Sequence, residues 1–314
     1  MAGIKVPVSH GKGYRLSESD GRAKGMEIPE TVEDLADILL DQNYLADRGL
    51  ATATYLALCL GRPLLLEGEP GTGKTELAKA IASAFGLQLI RLQCYEGIDA
   101  NQALYEWDYT RQLLYVRTLT EQALNDKTAI DDIFGPRFLV ERPLLKAIKA
   151  GDRAVLLVDE IDRADDEFEA FLLEVLSDFQ VTIPELGTVK CKRPPVVILT
   201  SNRTRELHDA LKRRCLFHWI DYPKLEREVE IVRARAPEVP EELARQVSKA
   251  VQNLRKMDLQ KRPGVAETLD WARALDYLGA ERMDANVTTA TLGSVLKDRD
   301  DIDQVKNNLS GVIG

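Results

Sequence analysis

Residues 68 to 75 run Gly68-Glu69-Pro70-Gly71-Thr72-Gly73-Lys74-Thr75, and few eight-residue stretches restrict a fold as severely. The spacing G-x-x-x-x-G-K-[ST] asks for a strand before it and a helix after it. Such a turn holds phosphate only when its backbone N–H groups and a helix N-terminus converge on one point. Both flanks are present: Leu64-Leu65-Leu66 is a short apolar run of buried-strand type, and Thr75 to Ala82 reads as a helix. Glycines at 68, 71 and 73 permit backbone angles and close approach that a Cβ would obstruct. Glu69, Pro70, Gly71, Thr72 and Gly73 then line the phosphate cradle, Lys74 reaches the β and γ phosphates, and the Thr75 hydroxyl ligates Mg²⁺. The expectation is a chain that binds a nucleoside triphosphate with its Mg²⁺.

Further strands and helices alternate beyond this unit. Apolar strands are expected over Gln88 to Gln93, Ala154 to Val158, Pro195 to Thr200 and Leu216 to Ile220, with helices near 119 to 125, 141 to 150 and 166 to 179. An irregular aromatic stretch fills the gap up to about 118, and residues 181 to 190 resemble a short hairpin. This alternation predicts an α/β domain, a parallel sheet flanked by helices, over residues 28–222. From Lys224 the periodicity is helical throughout, which predicts a smaller all-helical lid domain over 223–280. A polar N-terminal segment, 1–27, and a C-terminal tail, 281–314, complete the expected organisation.

Composition removes several function classes. The 314 residues carry 51 acidic against 42 basic side chains, a formal charge of −9, which disfavours broad attraction to DNA or to anionic lipid. Nucleic acid is therefore not an expected partner. Cys59, Cys94, Cys191 and Cys215 stand isolated, without ligand spacing to His10, His208 or His218, so each reads as a reduced, mostly buried thiol and no resident metal site is indicated. No N-terminal apolar signal and no transmembrane run is seen, because Arg62 and Pro63 interrupt the best candidate. The chain reads as cytoplasmic, with peripheral membrane association left open.

The second half of a nucleotide site follows at the ends of later strands. Asp159 and Glu160 close the strand at 154 to 158, on the side where ligand crevices of parallel sheets lie. Asp159 is placed to hold Mg²⁺ and its waters, and Glu160 to polarise the attacking water; a helix-capping acidic pair is the plainer alternative. Asn202 stands at the equivalent end of the next strand, to orient that water or sense the γ-phosphate, or else as a turn residue. Lys212-Arg213-Arg214 supplies a basic cluster. Arg214, ahead of Arg213, is the candidate to reach a neighbouring subunit's γ-phosphate, a role worth ~10³ to 10⁵ in rate; a solvated helix end is the alternative.

Phosphate loop, Asp159-Glu160, Asn202 and the arginine pair in that order resemble an AAA+ ATPase, a P-loop NTPase fold, over about residues 30 to 280. Three segments are similar to the MoxR family: Glu67 to Thr75, Leu157 to Ala164, and Phe171 to Leu176 followed by Gln180 to Ile183. Leu92 to Gly97 and Arg262 to Trp271 look most like its CoxD-like branch, found with carbon monoxide dehydrogenase maturation. The resemblance implies a homo-hexamer with insertions at 179 to 190 and at Tyr95 to Thr118 projecting toward a central pore. It also implies a client protein, commonly a metal- or cofactor-dependent enzyme, and a partner with a von Willebrand factor A domain. One departure stands out: the family's second-sensor arginine follows a proline, and here that position is Gly264. Arg262, before Pro263, is either its substitute or an ordinary helix-start residue. Tyr105-Glu106-Trp107-Asp108-Tyr109 reads either as a substrate grip or as a packed hairpin.

The leading expectation is an ATP-hydrolysing, chaperone-like motor that remodels or matures a client protein. A DNA-processing motor is the alternative, disfavoured by the acidic balance and the lack of a nucleic-acid module. A slow ATP-dependent switch or adaptor is the other; no N-K-x-D guanine-recognition tetrapeptide is present, which disfavours a GTPase.

Overall fold

Alternate residues of each central strand belong to opposite cores, and that alternation organises the α/β domain. The computed structural model describes residues 26–118 and 132–313. Its strands are β1 (Leu64–Gly68), β2 (Gln88–Gln93), β3 (Tyr105–Trp107), β4 (Leu139–Glu141), β5 (Ala154–Asp159), β6 (Gln180–Ile183), β7 (Gly187–Lys190), β8 (Val196–Ser201) and β9 (Leu216–Ile220). Five of them form the main sheet in the order β2-β5-β8-β1-β9, every neighbouring pair parallel. Leu64 and Leu66 face one side with Leu157 and Ile198, while Leu65 faces the other with Leu156 and Leu199. Parallel strands are covered on both faces, and β1 and β5 in the middle of the sheet are buried along their whole length.

On the Leu64 side lie α1 (Val32–Leu40), α2 (Arg48–Leu60) and α3 (Lys74–Ala84), contributing Leu35, Leu39, Leu50, Leu77 and Ile81. The capping signature at Thr31 is realised: its hydroxyl accepts from the Asp34 N–H while the Asp34 carboxylate accepts from the Thr31 N–H. Short α4 (Ala100–Leu104) and α5 (Tyr109–Thr118) follow β2, and the opposite face is covered by α6 (Pro143–Ala150), α7 (Asp166–Asp178) and α8 (Asp209–Arg214). Leu144, Leu145, Phe168, Leu172 and Leu211 pack there.

The aromatic stretch is ordered, not irregular. Tyr105–Trp107 pairs antiparallel with Leu139–Glu141, and Trp107 is buried with Phe134 edge-on against its ring at 5.6 Å. Trp107 is thus packed, whereas Tyr109, 71% exposed, remains available to a partner. Residues 181 to 190 lie in the antiparallel pair β6 and β7. The helix expected near 119 to 125, and all but the last two residues of the polar segment 1–27, lie outside the described residues.

After Tyr222 come α9 (Leu225–Arg235), α10 (Glu241–Lys256), α11 (Val265–Tyr277), α12 (Ala285–Val295), α13 (Arg299–Asn307) and α14 (Leu309–Ile313). They surround a core of their own, in which Val232, Val247, Leu254 and Trp271 meet Leu292, Val305 and Val312. The expected polar tail at 281–314 is corrected by this: residues 285 to 313 are mostly helical and close the lid's core. Asp284 and Asp298 cap the first two of these helices, accepting backbone N–H bonds at 2.8–2.9 Å from Asn286, Val287 and Asp300. Cys94 and Cys215 are buried and Cys59 is exposed, which corrects the uniform expectation for the thiols. Among the described residues no helix is long and apolar enough to cross a membrane.

Candidate nucleotide site

The site begins where β1 runs out of room. At Gly68 the strand approaches β9 so closely that a Cβ would stand 2.2 Å from the Ile220 carbonyl oxygen. Only glycine fits. The chain then turns through Glu69 to Gly73 and enters α3 at Lys74. The buried Lys74 Nζ donates to the carbonyls of Gly68 (2.8 Å) and Glu69 (2.7 Å). Burial pushes its pKa down to about 8, against the upward pull of Asp162, Glu69, Asp159 and Glu160.

Strand order brings the acidic pair opposite this loop. The Thr75 hydroxyl donates to Asp159 Oδ1 at 3.0 Å, joining the start of α3 to the end of β5. Asp159 is buried and fully engaged: Oδ1 also accepts from Thr200 Oγ1 at 2.5 Å, and Oδ2 accepts from Arg91 Nε (3.0 Å) and Nη2 (2.5 Å). Glu160 sits in the left-handed region at φ 55°, a conformation costing about 1–3 kcal/mol in a non-glycine residue. Its backbone N–H donates to Thr200 Oγ1 at 3.0 Å, and its Oε2 accepts from Gln93 Nε2 (3.0 Å) and Arg163 Nε (2.9 Å). Thr200 therefore donates to one carboxylate while accepting from the next residue's amide, which fixes both at once.

Asn202 follows β8 and lines the same cavity as Lys74, Thr75, Asp159 and Glu160. Its loop is anchored by Asp162 Oδ2, which accepts from the Thr204 N–H (2.9 Å) and hydroxyl (2.7 Å). The cavity measures about 840 Å³ and extends from the phosphate loop between β9 and the lid, ample for a nucleotide. Leu45, Leu50, Ile220, Ile231 and Leu269 make its far end apolar. Beside the phosphate loop the buried Tyr44 hydroxyl donates to the Gly73 carbonyl at 3.4 Å, and burial raises its pKa.

Thr75 Oγ1 and Asp159 Oδ1 are hard oxygen donors side by side, the chemistry Mg²⁺ takes, so the residues present fit that ion. Among the described residues no cluster of three or more His, Cys, Asp or Glu forms a cage for a metal.

Two expected residues stand elsewhere. Arg213 and Arg214 are exposed at the end of α8, beside the start of β9 and hence at the opposite end of the sheet from the phosphate loop. They do not enter this chain's own cavity. Arg262 is exposed and does not line the cavity either. The lid guanidiniums that do line it are Arg227 and Arg235, the latter paired with Glu76 at 3.0 Å. Sequence reasoning missed them, although Arg227, Ile231 and Arg235 recur at helical spacing on one face of α9. It also missed Arg91 and Gln93, whose signal was a pair of polar residues two apart at the C-terminal end of β2.

Residues 63–215 match the AAA domain, dynein-related subfamily. The match spans just under half of the chain. The fold is that of an AAA+ P-loop NTPase, a parallel sheet flanked by helices, with a helical C-terminal region following it. An uncharacterized protein of Staphylococcus epidermidis is 27% identical over 208 residues, covering 64% of this chain and 71% of that protein. The uncharacterized protein YojN of Bacillus subtilis is 30% identical over 190 residues, 58% of this chain and 55% of its own length. Among solved structures, a Thermotoga maritima RuvB variant aligns with a TM-score of 0.48 at 18% identity, over 85% of this chain and 73% of that one. The T. maritima RuvB Holliday junction branch migration motor aligns with a TM-score of 0.43 at 18% identity, over 85% and 72%. The matched segment holds the phosphate loop, Asp159, Glu160, Asn202 and the arginine pair.

Proposed function

We propose that the protein is an oligomeric, Mg²⁺-dependent ATP hydrolase that turns γ-phosphate cleavage into lid and subunit movement and so remodels a client protein. The observation that carries this reading is the convergence of Lys74, Thr75, Asp159, Glu160 and Asn202 on one cavity roofed by a separate helical lid. Lys74 exchanges its loop carbonyls for phosphate oxygens, and the apolar far end takes the base. Mg²⁺, held by Thr75 and through Asp159, would neutralise charge developing on the phosphates. Glu160 accepts a proton from the attacking water, for which its carboxylate must leave Arg163 and Gln93; Asn202 orients that water. Arg214, with Arg213 beside it, is offered to the neighbouring subunit's cavity. The client, as a metal- or cofactor-dependent enzyme, and a von Willebrand factor A partner rest on the MoxR-like segments.

Steady-state turnover and nucleotide binding test the assignments together. Glu160→Gln is expected to bind ATP as the wild type does and to turn over ~10² to 10⁴ times more slowly. Wild-type turnover in that variant would remove Glu160 from its role. Arg214→Ala is expected to bind normally, with turnover reduced ~10³-fold or more in the assembled state. Mixing it with Glu160→Gln protein restores turnover at junctions where an intact cavity meets an intact arginine; no recovery over either variant alone counts against an arginine acting between subunits. Clients are captured on the Glu160→Gln protein in the presence of ATP, and ATP-dependent, salt-sensitive binding to DNA in place of a protein would overturn the client assignment.

A further inference from the structure

Gly264, the position at which the chain departs from its resemblance, lies directly against the phosphate loop. A Cβ on Gly264 would stand 2.7 Å from Gly71 Cα and 2.9 Å from the Gly71 carbonyl atoms; one on Gly71 would stand 3.0 Å from Gly264 Cα. Across this contact the Val265 N–H donates to the Gly71 carbonyl at 2.8 Å. Gly264 has φ −86° and ψ −173°, extended backbone open to any residue. Glycine is required here by proximity alone, not by conformation.

The same turn is tied into the lid's interior. Arg255 Nε donates to the Pro263 carbonyl at 2.8 Å, and the same guanidinium makes two 2.7 Å bonds to the Glu228 carboxylate. Thr268 Oγ1 lies 2.7 Å from Glu228 Oε1 and 3.0 Å from the Gly264 carbonyl oxygen. Glu228, Arg255 and Thr268 are all buried, on α9, α10 and α11 respectively. Three lid helices therefore hold the two residues that precede Val265.

We propose that this backbone seam is how the lid reads the phosphate loop: Gly264 and Val265 are positioning residues, in the place where the resemblance puts an arginine side chain. The proposal rests on the reading of residues 68 to 75 as a nucleotide site. Turning loop amides toward phosphate rotates the peptide units around Gly71, and with them its carbonyl. Val265 follows that carbonyl or loses its bond. The two backbones touch directly, with the Glu267 carboxylate alongside accepting from the Gly264 N–H at 3.0 Å, and close-packed elements move as units instead of deforming. Loop occupancy is thereby converted into displacement of α11 and, through Glu228 and Arg255, of α9 and α10.

Hydrogen–deuterium exchange on the full chain, with and without a non-hydrolysable ATP analogue and Mg²⁺, tests this. In the wild type the analogue is expected to slow exchange at 68–75 and, by tenfold or more, at the first turns of α11. In Gly264→Ala the loop is still slowed while α11 no longer responds. Val265→Pro gives a second, independent break: proline is tolerated at the first helical position and after an extended residue, so the helix start survives while the donor is lost. It is expected to uncouple α11 in the same way. A slowed loop with an unresponsive α11 in the wild type, or variants that respond as the wild type does, overturns the seam alone. Exchange unchanged at the loop itself overturns the nucleotide reading and the seam with it.

Discussion

Lys74 shows how an environment prepares a single side chain for its ligand. Its ammonium is buried with two backbone carbonyls as acceptors, and desolvation pushes its pKa down to about 8. Phosphate favours the charged form, so a bound nucleotide raises that value again. The sign follows. Below pH 8 the free protein already carries the proton and binding is independent of pH through this group. Above pH 8 binding takes up a proton, and affinity falls by up to tenfold per pH unit. Calorimetry of ADP binding in chelator, between pH 7 and 9.5 in buffers of different ionisation enthalpy, is expected to show that uptake; an affinity flat across the range would refute it. Arg91 acts at the same scale on Asp159. Its two bonds to Asp159 Oδ2 leave Oδ1 as the oxygen turned toward Thr75.

Elements decide which of these contacts could be read from sequence. The strand–loop–helix unit of β1 and α3, the acidic end of β5 and the β6–β7 pair were legible because their signals are local: apolar runs, glycine spacing and a short turn. Arg91, Gln93 and Thr200 were not legible. They meet Asp159 and Glu160 only because β2, β5 and β8 are neighbours in the sheet, an order that no local pattern specifies. The Gly71–Gly264 contact was hidden for the same reason. Residues 281–314 misled because their apolar side chains are sparse, and Leu292, Val295, Val305 and Val312 become a core face only against α10 and α11. Element packing also sets the cost of disturbing the lid. Arg255→Met leaves Glu228 buried without its partner and is expected to destabilise the lid by about 3–5 kcal/mol. Adding Glu228→Met is expected to recover most of that loss. Urea unfolding followed by Trp271 fluorescence checks both, and a double variant weaker than the single one would contradict the account.

At the scale of the molecule, the C-terminal helices share one core that reaches the last of them. Trp271 is fully buried and donates to Thr291 Oγ1 at 2.8 Å, while Asn253 Nδ2 donates to the Val312 carbonyl at 3.2 Å. A chain stopped at residue 280 is therefore expected to lose lid helicity and shift tryptophan emission to the red. Native emission and an unchanged melting profile would show the last three helices to be dispensable. The α/β domain has its own long-range connection, at the far end of β1. Arg62 stands just before that strand and donates to the carbonyls of Arg213 (2.7 Å) and Arg214 (3.1 Å), so the backbone carrying the exposed arginines is pinned to β1 while their side chains stay free. The strand's other end is Gly68, six residues beyond Arg62 and about 20 Å away at 3.3 Å per residue. One stiff strut thus joins the place where a subunit receives phosphate to the place from which it would assist its neighbour. In a closed ring such struts would lie in series, giving the state of each cavity a short mechanical path to the next.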